Sequence, residues 1–237
     1  MVIIAHRGYS AKFLENTLKA FKKAFECGAD GIEFDLRMTA DKEIVVIHDE
    51  DLERLFGVKK RICESTLSEL KSYTKEGERI PTFEELLSVV PKEKLLNAEL
   101  KEPQVAEDTI RLIERYSLQK ETVISSFHHD LIARLIKQYP YMNFGFLVGE
   151  ELKNDPVRLI RTLLEYKPYS MHLPHQLADY PEYFNLICDL VRSQGVKIFI
   201  WTLDDLQKYE RIKDKIDAVI TNDVGSFVEH IKTKKPI

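Results

Sequence analysis

The 237 residues are enough for one domain with a sizeable core, and 44% hydrophobic with 31% charged residues places the chain among globular proteins and not disordered ones. A formal net charge of −4, with no basic stripe and no acidic tail, argues against a nucleic-acid partner. Three widely spaced cysteines, Cys27, Cys63 and Cys188, show no metal or redox spacing and suit a reducing compartment. The opening "MVIIAHRG" is too short an apolar run for a signal peptide, and no run of about 18 apolar residues is present to span a membrane, so the expected location is cytoplasmic.

Along the chain one rhythm repeats. The run "VIIAH" (2–6) predicts a first strand ending on His6. "NTLKAFKKAFECG" follows with Leu18, Phe21 and Phe25 on one helical face and Gly28 in place to stop the helix. "GIEFDL" (31–36) alternates at period two and predicts a second strand. After the turn "TADKE", the run "IVVIHD" predicts a hairpin extension of that strand ending on His48. Residues 50–79 fit no further barrel element and predict an insertion over the mouth of a site. "TFEELLSVV" opens on a capping box, Thr82 with Glu85. Further strands are predicted at 94–100, 122–127, 143–148, 169–173, 197–203 and 218–222. "DPVRLIRTLLEY" places Pro156 in a helix's first turn, and the basic run at 232–236 reads as a solvated helix end.

Eight strands alternating with eight helices predict either a doubly wound sheet or a closed α/β barrel. Eight units in 237 residues favour the TIM (β/α)8 barrel, which averages about 250. No glycine-rich phosphate loop follows any strand, which weakens a nucleotide-binding sheet. One domain, 1–237, is expected, with its small insertion after strand 2.

In such a barrel neither face of a strand meets water. If Ile32, Phe34 and Leu36 meet helices, Glu33 and Asp35 point inward, where unpaired carboxylates would cost several kcal/mol each. "LLNAELK" repeats the pattern and turns Asn97, Glu99 and Lys101 inward. Glu33, Asp35 and Glu99 are therefore expected to converge near the C-terminal strand ends, where this fold keeps its active sites. Hard oxygen ligands suit Mg²⁺ or Ca²⁺ better than zinc; internal ion pairs to Arg37 or Lys101 are the alternative use. His6 and His48, at strand ends beside the acids, suit an acid and base pair. His128, His129, His172, His175 and His230 show no ligand spacing, and His172 reads as packing.

The stretch from His6 to Arg54 resembles the N-terminal signature of glycerophosphodiester phosphodiesterases. It carries His6-Arg7-Gly8, Glu15-Asn16-Thr17, Gly28-Ala29-Asp30, Glu33, Asp35 and His48-Asp49, and "IPTFEELL", "NAELK", "SSF", "WTLDD" and "VITND" follow in the order of that family's later landmarks. The resemblance covers nearly the whole chain. It implies a metal-dependent hydrolysis of glycerophosphodiesters to glycerol 3-phosphate and an alcohol, a small-molecule substrate, and a divalent metal on Glu33, Asp35 and Glu99. It further implies catalytic roles for His6 as acid and His48 as base, phosphate contacts from Arg7 and Lys101, and a pocket wall at Trp201. Four places depart from the pattern: Leu14 for a proline, "RLFGVKKRI" for a Thr-Thr-Asn-Gly run, Asp204 for an asparagine, and Asn222-Asp223 near the end. Rival functions are a phospholipase C or D-like phosphodiesterase acting on lipid, and a non-catalytic barrel used as a binding module.

Overall fold

The computed structural model describes residues 1–233. Its strands in chain order are β1 (Val2–His6), β2 (Gly31–Met38), β3 (Ile44–Val46), β4 (Asp51–Leu52), β5 (Val58–Arg61), β6 (Leu95–Leu100), β7 (Thr122–Ser126), β8 (Asn143–Leu147), β9 (Ser170–Pro174), β10 (Lys197–Trp201) and β11 (Ala218–Thr221). Eight of them, β1, β2 and β6 to β11, form one parallel sheet that closes because β1 pairs with both β2 and β11. Helices connect consecutive barrel strands, which makes a TIM barrel. Among the described residues no helix is long and apolar enough to cross a membrane.

The period-two reading of β2 holds in three dimensions. Phe34 meets Phe21 of α1 (Leu18–Glu26) edge-on at 6.2 Å between ring centroids. It also packs on Phe83 at 5.5 Å, within the Thr82-capped helix Phe83–Leu87. All three rings are fully buried, each worth roughly 1.5–3 kcal/mol in burial. They pin two helices to the outer face of β2, which forces Glu33 and Asp35 inward. The helix α1 stops as its sequence predicts: Gly28 (φ 101°) donates to Phe25 O and Ala29 N to Ala24 O, closing a Schellman motif.

β2 runs two residues past the predicted end because Leu36, Arg37 and Met38 pair antiparallel with β3, the predicted hairpin. The segment after it forms the ribbon β4–β5, two short α-helices and one turn of 3-10 helix. Leu52, Leu55, Ile62 and Leu70 from this segment pack with Val45, Ile47 and Ile80 in a small cluster separate from the main core.

Toward the far end of the barrel the interior is filled. Ile4, Val123, Phe199, Ala218 and Ile220 pack together there. His172 stacks on Phe199 at 4.7 Å and bonds Ser170 Oγ at 2.8 Å. Burial pushes its pKa down to about 3, so it is a neutral packing residue. Gly145 makes this possible, since a Cβ there would lie 2.5 Å from His172 Nε2. The helix Val224–Thr233 runs into the basic stretch 232–236, whose side chains lie outside the described residues.

Candidate active site

The open end of the barrel is built first by a turn. After His6 the backbone passes through two left-handed residues, Arg7 (φ 54°) and Gly8 (φ 81°). Gly8 has no substitute here, because a Cβ would sit 2.7 Å from backbone carbon of Ala20. The turn aims the Arg7 N–H at Glu33, whose carbonyl accepts at 2.9 Å and whose carboxylate lies at 3.1 Å. A third left-handed residue, Asn16 (φ 56°), is buried just before Thr17 caps α1 and donates Nδ2–H to Asp35 Oδ2 at 2.8 Å.

Strand register brings the acids together. His6 lies opposite Glu33 across β1–β2, and Asp35 lies opposite Glu99 across β2–β6. Glu33, Asp35 and Glu99 are only 4%, 1% and 9% exposed, and one oxygen from each lies within 4.8 Å of the others. Two cations face them. Arg7 Nε is 3.2 Å from Asp35 and its NH1 is 2.9 Å from Glu15. Lys101 Nζ is 2.6 Å from Glu99 and 3.7 Å from Asp35. Arg37, the other counter-ion the sequence offered, turns away to Glu102 and to the His48 carbonyl.

Three carboxylates therefore meet two cations, and Glu33 is the one without its own. Burial, then Asp35 and Glu99, push the Glu33 carboxyl well above the usual range. Burial and Asp35 also raise Glu99. For Asp35 burial pulls upward, but Arg7, Lys101 and His48 outweigh it and hold the group below its ordinary value. Asp35 Oδ1 is buried with no hydrogen-bond donor. An uncompensated negative cluster of hard oxygens with an orphan lone pair fits a divalent cation such as Mg²⁺ or Ca²⁺.

Both histidines are tied back through Nδ1. His6 Nδ1 is 2.7 Å from Asn222 Oδ1, and its Nε2 lies 3.8 Å from Glu33. His48 Nδ1 is 2.7 Å from Asp49 Oδ1. Burial, then Arg7, lowers the pKa of His6; burial also lowers that of His48, against the pull of Asp35 and Asp49. Asp49 in turn bonds Arg54 Nε at 2.5 Å, and Arg54 grips Glu15 with both terminal nitrogens at 2.9 and 2.6 Å. Glu15 holds Arg7. One chain of ionic contacts thus joins the two histidine sides of the site through a residue of the 50–79 segment.

Trp201 ends β10 at the same end of the barrel. Its Nε1–H donates to the His172 carbonyl at 3.1 Å and its ring meets Phe127 edge-on at 5.6 Å. It shares the rim, while His6, Arg7, Glu33, Asp35, Glu99 and Lys101 form the cluster itself. Sequence reasoning gave no role to Asn16, Asp49, Arg54, Asp204 or Asn222. Asn16 and Asp49 stood within the family motifs, and Asp204 and Asn222 among the departures from them, but nothing in the sequence tied any of them to the site.

Residues 6–226 match the profile of the Glycerophosphoryl diester phosphodiesterase family. A curated relative from Caldanaerobacter subterraneus subsp. tengcongensis, a glycerophosphodiester phosphodiesterase, is 35% identical over 249 aligned positions covering 98% of each chain. The crystal structure of a glycerophosphodiester phosphodiesterase from Thermotoga maritima is 40% identical, with a TM-score of 0.88 over 97% of this chain and 98% of that one. An Oleispira antarctica phosphodiesterase, solved with the product sn-glycerol-3-phosphate, shares the fold at 22% identity, with a TM-score of 0.84 over 98% of this chain and 97% of that one.

Proposed function

The chain belongs to the glycerophosphoryl diester phosphodiesterase family, an enzyme class, and from that premise we propose that it hydrolyses glycerophosphodiesters to glycerol 3-phosphate and an alcohol at the acid cluster between β1, β2 and β6. The observation that carries this reading is the cluster itself: three buried carboxylates converging within 4.8 Å, flanked by two histidines. Glu33, Asp35 and Glu99 would hold Mg²⁺ or Ca²⁺, which when bound offsets the charge of a phosphodiester and polarises its phosphorus. Arg7 and Lys101 are the remaining cations at the site and would hold phosphoryl oxygens, Arg7 through its planar fork and Lys101 as a point charge. Trp201 and Phe127 offer an aromatic wall at the rim.

The hydrogen bonds behind the histidines favour an allocation opposite to the one the family resemblance implied. The Nδ1 partner of His48 is a carboxylate, which works against the burial that lowers this ring's pKa and supports an imidazolium, the form that gives up a proton. The Nδ1 partner of His6 is a neutral amide, which gives an imidazolium no such support, and burial and Arg7 favour the neutral ring, whose Nε2 accepts a proton. His6 therefore takes the proton of the attacking nucleophile, and His48 protonates the leaving oxygen. The ribbon and helices of 50–79 border this site through Arg54 and are the part best placed to choose the head group. The unpaired thiols fit the cytoplasm.

The deciding experiment is a metal-supplemented screen of soluble glycerophosphodiesters with glycerol 3-phosphate as the measured product. Turnover of glycerophosphocholine or a similar diester is the expected result. Turnover confined to vesicle-borne lipid would make the protein a lipid phosphodiesterase, and no turnover of any diester would make it a binding barrel.

A further inference from the structure

The two late departures from the family pattern, Asp204 and Asn222, are partners in space. Asp204 follows β10 and Asn222 follows β11. Asp204 Oδ1 accepts from the Thr221 hydroxyl at 2.7 Å and from the Asn222 backbone N–H at 2.8 Å. Its other oxygen, Oδ2, is 2.7 Å from Asn222 Nδ2. The far side of the same amide, Oδ1, is 2.7 Å from His6 Nδ1. We infer that Asp204 and Asn222 form a positioning pair that fixes the tautomer of His6, with the proton on Nδ1 and a bare Nε2 turned toward the acid cluster.

The inference follows from donor and acceptor counting. An ionised carboxylate only accepts hydrogen bonds, so the face of Asn222 that meets Asp204 must be its NH₂ group. That leaves the amide oxygen facing His6, and an oxygen requires a donor, so Nδ1 carries the hydrogen. A neutral imidazole has one N–H, hence Nε2 holds a lone pair. At 3.8 Å from Glu33 Oε2, that nitrogen is beyond hydrogen-bond distance and is not consumed by the acid. Ser10 Oγ, 2.9 Å from Asn222 Oδ1 and 2.7 Å from the His6 carbonyl, is within reach of both oxygens but could also accept from a turned amide. Asp204 is therefore the group that decides the orientation. Without it the amide could turn over, present NH₂ to Nδ1 and drive the proton onto Nε2. The inference rests on the proposal that His6 is the base, and gives that base its competent form.

Asp204→Asn is the informative substitution. The new amide would keep its oxygen toward the Thr221 hydroxyl and the Asn222 N–H, and turn its NH₂ toward Asn222. Asn222 then has to turn over. The double variant Asp204→Asn/Asn222→Asp exchanges the two groups: the amide at 204 donates to a carboxylate at 222, which again accepts from Nδ1–H. Long-range proton–nitrogen NMR of the His6 ring, on ¹⁵N-histidine-labelled protein in chelator, reads the tautomer without any turnover. We expect an Nδ1–H ring in the wild type, an Nε2–H ring in Asp204→Asn and an Nδ1–H ring again in the double variant. With metal and glycerophosphocholine, kcat should fall ~10²-fold or more in the single variant with KM little changed, and recover in the double one; inversion of a catalytic histidine tautomer in a serine protease costs about 10⁴. If Asp204→Asn does not fold, Asn222→Ala tests the same point, because an unanchored ring should show both tautomers. An Nε2–H ring in the wild type, or the wild-type tautomer in a folded Asp204→Asn or Asn222→Ala, would overturn the inference. Inverted tautomer with unchanged kcat would leave the positioning pair standing and remove His6 as the base.

Discussion

Replacing Glu33 by glutamine should stabilise the metal-free protein while removing its response to metal. Glu33 is 4% exposed, its carboxylate meets among the described residues the Arg7 N–H at 3.1 Å and His6 Nε2 at 3.8 Å, and the two nearby cations are held by Asp35, Glu15 and Glu99. Oxygens of Asp35 and Glu99 lie within 4.8 Å. At that separation two like charges repel by about 3 kcal/mol in an effective dielectric of 20. Burial and its two acidic neighbours raise the pKa of Glu33, so proton uptake there relieves part of this repulsion in the folded protein. Because the raised pKa belongs to the folded state, stability falls as pH rises from the unfolded value near 4.5 to the folded one, by up to about 1.4 kcal/mol per pH unit. Glutamine suffers no such loss, so a gain of roughly 1–3 kcal/mol at pH 7 is expected, or several degrees in Tm at about 2–4 °C per kcal/mol for a domain of this size. Thermal unfolding in EDTA and then with Mg²⁺ or Ca²⁺ measures both halves. The wild type should gain about 2.7 kcal/mol at a hundredfold excess of metal over its Kd, and Glu33→Gln far less. A variant that melts lower than wild type in EDTA and still rises by the wild-type increment with metal would refute the account of the cluster.

Chelation should stop turnover, Mg²⁺ or Ca²⁺ should restore it, and Glu99→Gln should remove most activity while circular dichroism stays native. Metal affinity, titrated by calorimetry, should rise with pH above about 4.5, because Glu33 and Glu99 must shed protons they hold too tightly; a flat profile would mean they are already ionised. His48→Ala should be impaired ~10²–10⁴-fold on glycerophosphocholine and largely rescued on a nitrophenyl phosphodiester, whose leaving group needs no proton, while His6→Ala should fail on both; the reverse pattern would exchange the roles. Shortening the 50–79 segment between Asp51 and Ile62 should change the preferred head group and spare a small activated diester, and equal losses on every substrate would show that the segment supports the core.

The fold was legible because barrel strands and their helices announce themselves locally. Period two in "GIEFDL" separated the ring of Phe34 from the carboxylates beside it, and Thr82 with Glu85 marked a helix start to the residue. The acids of the site were legible for the same reason, since residues two apart on a strand share a face and parallel register sets Asp35 beside Glu99. Charge compensation was less so. Arg37 and Lys101 looked equivalent in sequence, but Arg37 stands beside the hairpin and is drawn to Glu102 and a carbonyl there, while Lys101 follows Glu99 on the inward face. Asn16 was hidden because its contribution depends on a left-handed backbone, which no periodicity reports.

The division of labour between the histidines shows where sequence stops. Position follows from spacing: His6 ends β1, while β3 stops at Val46 and leaves His48 two residues past its end, still near the acids. Role follows from what holds Nδ1, and the two cases differ in how far away the holder is. For His48 it is the next residue, Asp49, so the pair "HD" already carries the anion that favours an imidazolium. For His6 it is Asn222, 216 positions along the chain, brought beside β1 only because the barrel closes with β11 against it. Asn222 in turn depends on Asp204 at the end of yet another strand. An isolated departure at either position reads in the sequence only as a break in the family pattern. Only the closed barrel puts the two side by side, and there their complementary donor and acceptor groups make one device acting on the ring of His6.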